Sequence, residues 1–200
     1  MKDGSRISKM LGKLDYGTLD DNLELLEIAF GDLTRVSTKT GKNLVQELVS
    51  RKYDETKCSI ALRTLFRKAG LNPNHLDKNG LNFVQTAINT GYSQNFVCDC
   101  IRQTLALGYD VNHQDNAGNT VIHSAINSTN FKEGFIDILK LVDVNGYDAH
   151  LKNENGKEIS DLVFESSKYT KIDKMKYIKD MYGIVSRPKN LKVHGPKPKF

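Results

Sequence analysis

Two series of glycines recur through this chain in one register, and that recurrence restricts the fold more than any other feature. Gly41, Gly80, Gly118 and Gly156 follow one another at intervals of 39, 38 and 38 residues. Gly70, Gly108 and Gly146 keep the same interval of 38. Each member of the second series stands where a helical pattern stops, a place that favours a residue able to adopt the left-handed conformation. The first series marks loop tips. The fullest copy runs Asp115-Asn116-Ala117-Gly118-Asn119-Thr120 and then Val121, Ile122, His123, Ser124, Ala125 and Ile126. Thr120 is placed to cap the helix that follows, its hydroxyl accepting from backbone N–H groups that the first turn leaves unpaired.

The copies extend well beyond glycine. Asp77-Lys78-Asn79-Gly80 leads into Phe83, Val84, Ala87 and Ile88, and Asn153-Glu154-Asn155-Gly156 into Ile159, Leu162 and Val163. Lys39-Thr40-Gly41 precedes Leu44, Val45 and Leu48 in the same way. Before the tips, residues 69–77, 107–115 and 145–153 align column by column. Second helical runs then follow, with Ile60, Leu62, Leu65 and Phe66, with Phe96, Val97, Cys100, Ile101 and Leu105, and with Phe135, Ile136, Ile138, Leu139 and Val142 at helical spacing. A unit of this size cannot bury its own apolar face. Stacking on its neighbours can.

The tip and helix around Gly118 and His123 resemble the D-x-x-G-x-T-P-L-H-x-A-A signature of the ankyrin-repeat family, with Val121 at the proline position and Ile122 at the leucine position. The preceding Leu107-Gly108-Tyr109-Asp110-Val111-Asn112 is similar to that family's L-G-A-D-x-N connection. The resemblance covers about residues 37 to 183 and implies an all-α solenoid of helix–turn–helix units joined by β-turn or hairpin loops. It implies about four repeats of roughly 38 residues, against a family norm of about 33. The surplus falls between paired helices, at 91–95 and 127–134, where polar loops absorb insertions at small entropic cost. The expected division is an N-terminal helical cap over 1–36, a stack over 37–183 (37–76, 77–114, 115–152, 153–183) and a flexible basic tail over 184–200.

Both ends read as solenoid ends. Leu19, Leu23, Leu26 and Phe30, joined by Leu25 and Ile28, predict an amphipathic helix covering the open flank of the first unit. In the last unit Glu158 and Asp161 replace threonine and histidine. A final helix near 172–182 is expected to turn Ile172, Met175, Ile178 and Met181 inward and Lys171, Lys174 and Lys179 outward.

Charge is unevenly distributed. Residues 166–200 hold ten Lys or Arg against Asp173 and Asp180, a net of +8, which leaves the remaining residues at −3 of the chain's +5. Three of the four prolines lie within residues 187–200, so that last stretch buries too little to offset its ordering entropy. It reads as a solubilising tail or as an arm that touches nucleic acid or anionic membrane. No apolar run approaches the ~20 residues of a membrane helix. The start lacks the apolar core of a secretory signal, so a cytoplasmic location is expected, with the nucleus or a host cytoplasm as variants. Cys58, Cys98 and Cys100 are too few and too poorly spaced for a disulfide framework or a metal site, and read as buried small residues.

No motif for nucleotide, metal or covalent chemistry is present. His123 has no nucleophile or acid at a motif spacing, and the resemblance implies that it ties loops together. No catalysis and no cofactor are expected. The resemblance implies instead a monomeric module that binds another protein along loop tips and first helices. The tips supply Lys78, Asn79, Asn116 and Glu154, and the first helices Thr86, Asn89, Ser124 and Asn127. Tyr92 and Phe131, beside the longer loops, are the expected aromatic anchors of an interface of roughly 1,600 Å². Short chains with little outside their repeats resemble inhibitors of signalling of the inhibitor-of-NF-kappa-B-like kind and pathogen effectors. Two alternatives are a scaffold that displays its basic arm and an accessory domain of a larger enzyme.

Overall fold

Apolar residues at helical spacing, punctuated by caps and left-handed glycines, give a chain in which every regular element is a helix among the described residues, namely 9, 11–14, 19–131 and 135–185 of a computed structural model. The helices are α1 Leu19–Phe30, α2 Leu44–Ser50, α3 Glu55–Arg67, α4 Phe83–Thr90, α5 Gln94–Leu105, α6 Val121–Asn127, α7 Phe135–Asp143, α8 Ile159–Glu165 and α9 Lys171–Val185. None is long and apolar enough to cross a membrane. Of the expected tail over 184–200, residues 184 and 185 close the last helix and the rest lies outside the described residues, as does most of the chain before Leu19.

Side-chain caps set the helix starts. Asn43, Asn82 and Thr120 accept from the third backbone N–H of α2, α4 and α6, while Asp54 and Ser93 do the same for α3 and α5. Such a cap contributes about 1 kcal/mol. For helices of seven or eight residues this matters, because pieces that short are not stable alone.

Packing supplies the rest. The short helices form one row, α2 against α4, α4 against α6 and α6 against α8. The other helices form a second row, α1 against α3, then α5, α7 and α9 in turn. Leu48, Val84, Ala87, Ile122 and Ala125 from the first row meet Leu62, Leu65, Ile101, Ile138 and Leu139 from the second in one core. Each large aliphatic side chain buried there stabilises by about 1.5–3 kcal/mol. α1 seals the outer side of α3 with Leu26 and Ala29, and the Lys68 ammonium at the end of α3 pairs with Asp20 at 2.7 Å. Ile28, expected inward, is 47 % exposed.

α9 departs from expectation. Ile172 and Met175 face water, whereas Tyr177 and Met181 are buried. The Tyr177 ring packs edge-on against Phe135 at 5.4 Å and Tyr169 at 5.2 Å between centroids. That aromatic cluster sets the rotation of the helix, and no described element covers its other side.

Candidate functional site: the loop ladder and its recess

The loops that join the units are held by columns of recurring hydrogen bonds. Within each tip, the carboxylate or carboxamide Oδ1 of Asp77, Asp115 and Asn153 accepts two backbone N–H groups, from Asn79 and Leu81, Ala117 and Asn119, and Asn155 and Lys157. Between tips, single backbone bonds run from Lys78 N to Thr40 O, Asn116 N to Asn79 O and Glu154 N to Ala117 O, at 3.0, 3.1 and 3.0 Å. Further back, the Asn74 and Asn112 side chains bracket the next connection, each donating to a glycine carbonyl (Gly108, Gly146) and accepting from a backbone N–H (Asp110, Asp148).

Glycine is required where one tip rests on the last. Gly118 has φ +74°, and a Cβ there would meet Glu154 N at 2.8 Å and Asn153 Cα at 2.9 Å. Both are backbone atoms that cannot swing aside.

His123 belongs to a column whose other members are not histidines. Gln46 and Gln85 hold the same third position in α2 and α4. Each accepts its own cap residue's N–H on Oε1 and donates from Nε2 to the next loop's carbonyl, Leu81 O and Asn119 O, both at 2.7 Å. His123 accepts the Thr120 N–H on Nδ1 and reaches Lys157 O from Nε2 at 3.1 Å. A carbonyl can only accept, so Nε2 carries the proton in the neutral ring and Nδ1 is bare. The Thr120 hydroxyl therefore donates to Nδ1 at 2.8 Å and accepts from the buried Tyr147 hydroxyl at 2.9 Å. Tyr109 stands in the column of Tyr147 and takes a bond from the Asn82 side chain. Burial holds the His123 pKa below its ordinary value, against the Lys157 bond and the Asp115 charge, which act to raise it. Such a histidine is a strut. At the matching position of α8 the Asp161 carboxylate accepts from Glu158 N, and no further tip follows among the described residues.

Between the tips and the first helices lies an open recess of about 440 Å³, bordered by Ile88, Asn89, Asp115, Asn119, Ser124, Asn127 and Asn130. Its extent has a local cause. In the first unit the Lys42 ammonium crosses to the Ser50 hydroxyl at 2.7 Å, and in the last Lys157 pairs with Glu165. At the matching positions of the middle units stand Leu81 with Asn89 and Asn119 with Asn127, pairs that cannot form that bridge. The recess opens there.

Of the residues expected to bind, Asn89 and Asn127 are exposed on this recess, and Ser124 lines it at 8 % exposure. Lys78, Asn79, Asn116 and Glu154 are exposed on the tips, but Asn116 also donates from Nδ2 to Lys78 O. Three expectations are corrected. Thr86 is buried and bonds to Asn82 O, one turn back. Tyr92 is 0 % exposed, stacked on Phe96 at 4.3 Å with its hydroxyl donating to Cys58 Sγ. Phe131 is 1 % exposed. Neither aromatic presents a surface: Tyr92 packs onto the second row through Phe96 and Cys58, and Phe131 lies in the core. Asn119 and Asn130 border the recess as well, outside the expected set.

All three cysteines are buried free thiols. Burial pushes the Cys58 thiol up to about 12, against the bond from Tyr92, and raises Cys98 and Cys100 as well. Burial blocks access and the raised pKa lowers the thiolate fraction, and alkylation needs both. Iodoacetamide at mildly alkaline pH is expected to leave the native protein unlabelled and to label all three after denaturation, read by intact mass. Rapid native labelling of any one would contradict its burial.

Comparison with protein-family models and with curated proteins finds no match.

Proposed function

We propose that this chain is an ankyrin-repeat protein that carries no catalysis of its own and binds a partner protein along its loop tips and first helices. In this reading α1 caps a stack of four units spanning 37–183. The two helical rows, the tip-to-tip bonds and the column of Gln46, Gln85 and His123 support it. The observation that carries the binding surface is the recess, where Asn89, Ser124 and Asn127 come together with Asp115 and Asn119. Carboxamides and hydroxyls lining an open recess suit the donors and acceptors of a polypeptide backbone, and they hold no paired acid and base for bond-breaking chemistry. The narrower form of the proposal is an inhibitor that occupies a partner's surface.

The test uses exposed positions only, so that folding is undisturbed. Asn89→Arg with Asn127→Arg fills the recess with two cations. Capture of partners from lysate by this variant is expected to fall about tenfold or more beside the unaltered chain. Equal recovery of the same partners by both would overturn the proposal.

A further inference from the structure

The solvent-facing side of α9 carries three large apolar groups among lysines and no acid. Ile172 is 79 % exposed, Met175 67 % and Tyr182 59 %. Lys171, Lys176 and Lys179 are exposed between them at helical spacing, while Asp173 and Asp180 lie half-buried on the flank. Phe164 of α8 is exposed too, with the Lys174 ammonium 6.0 Å from its ring centroid. α9 is already anchored by Tyr177 and Met181, so these outward groups are not needed to hold it.

We infer that this face of α9 docks on an anionic lipid surface. Apolar side chains ringed by lysine match the boundary between acyl chains and charged headgroups, where the ammonium groups reach the phosphates and the apolar groups sink below them. The charge of the whole chain orients it. The cations of residues 166–200 give that end +8, whereas the rest carries −3 and is repelled by the same surface. Arg187, Lys189, Lys192, Lys197 and Lys199 follow α9 with no acid among them. A nucleic acid would use the cations but leave Ile172 and Met175 without a role. As no described helix can span a bilayer, contact is at its surface.

The experiment is co-sedimentation of the full chain with phosphatidylcholine vesicles containing phosphatidylserine, beside vesicles of phosphatidylcholine alone. Binding is expected only to the former. Ile172→Ser with Met175→Ser, at exposed positions, is expected to weaken it about tenfold. Lys171→Gln with Lys179→Gln keeps the apolar groups and is expected to weaken it severalfold, more so at low salt. No sedimentation of the unaltered chain overturns the inference, and so does unchanged binding by the Ile172/Met175 variant, which would leave tail charge as the sole cause. A dimer dispersed by that variant, without vesicle binding, would assign the face to a second copy and overturn it equally.

Discussion

Gly118→Ala is expected to destabilise the protein by about 2–5 kcal/mol, and Gly156→Ala by only about 1–2. The two glycines hold the same backbone conformation, φ +74° and +71°. The strain of an alanine in the left-handed region is therefore common to both. What differs is the neighbour. A Cβ at 118 would press into the backbone of Asn153 and Glu154, forcing apart two tips joined by the bond from Glu154 N to Ala117 O. At 156 the same Cβ meets nothing within 4 Å. Urea denaturation of the two variants gives the difference directly, provided the slope with urea is unchanged. Equal losses would mean that conformation alone fixes these glycines and that tip contact contributes nothing.

Gly118 shows why the loops could be read in advance. A glycine that must be both left-handed and bare leaves a mark that no other residue type can replace, and its recurrence fixes the spacing of everything else. Helix faces are less legible. In α9 the sets Ile172–Met175–Ile178 and Tyr177–Ile178–Met181 both fit a helical period, and the choice is made by Phe135 and Tyr169, which lie outside the helix. Tyr92 and Phe131 illustrate the converse. An aromatic beside a polar loop looks like a free anchor until the loop folds back, and only the contact with Phe96 and Cys58 reveals Tyr92 as core. Half of the recess was visible as Asn89, Ser124 and Asn127. Its open length was not, because it depends on which units lack the bridges from Lys42 and Lys157.

The column of Gln46, Gln85 and His123 went unread because glutamine and histidine look unlike one another. Chemically they match here: each offers one acceptor and one donor at nearly the same reach. His123→Gln is accordingly expected to cost no more than about 1 kcal/mol, since the carboxamide can take the Thr120 N–H and donate to Lys157 O as Gln85 does to Asn119 O. His123→Leu fills similar space but leaves the buried Thr120 amide and Lys157 carbonyl without that partner, and is expected to cost about 2–4 kcal/mol. Solution pH separates the two roles further. Burial lowers the His123 pKa in the folded chain, so the unfolded chain binds its proton more readily. The stability contribution is thus fully present above the ordinary value of 6.5 and is lost as pH falls below it towards the folded pKa. The other histidines remain in both chains, so their effects cancel in the comparison. Urea midpoints measured at about pH 7.5 and about pH 5.5 are expected to fall more for the unaltered chain than for His123→Gln. A His123→Gln chain with the same pH dependence as the original, or one as unstable as His123→Leu, would show that the imidazole is not the neutral strut its bonds describe.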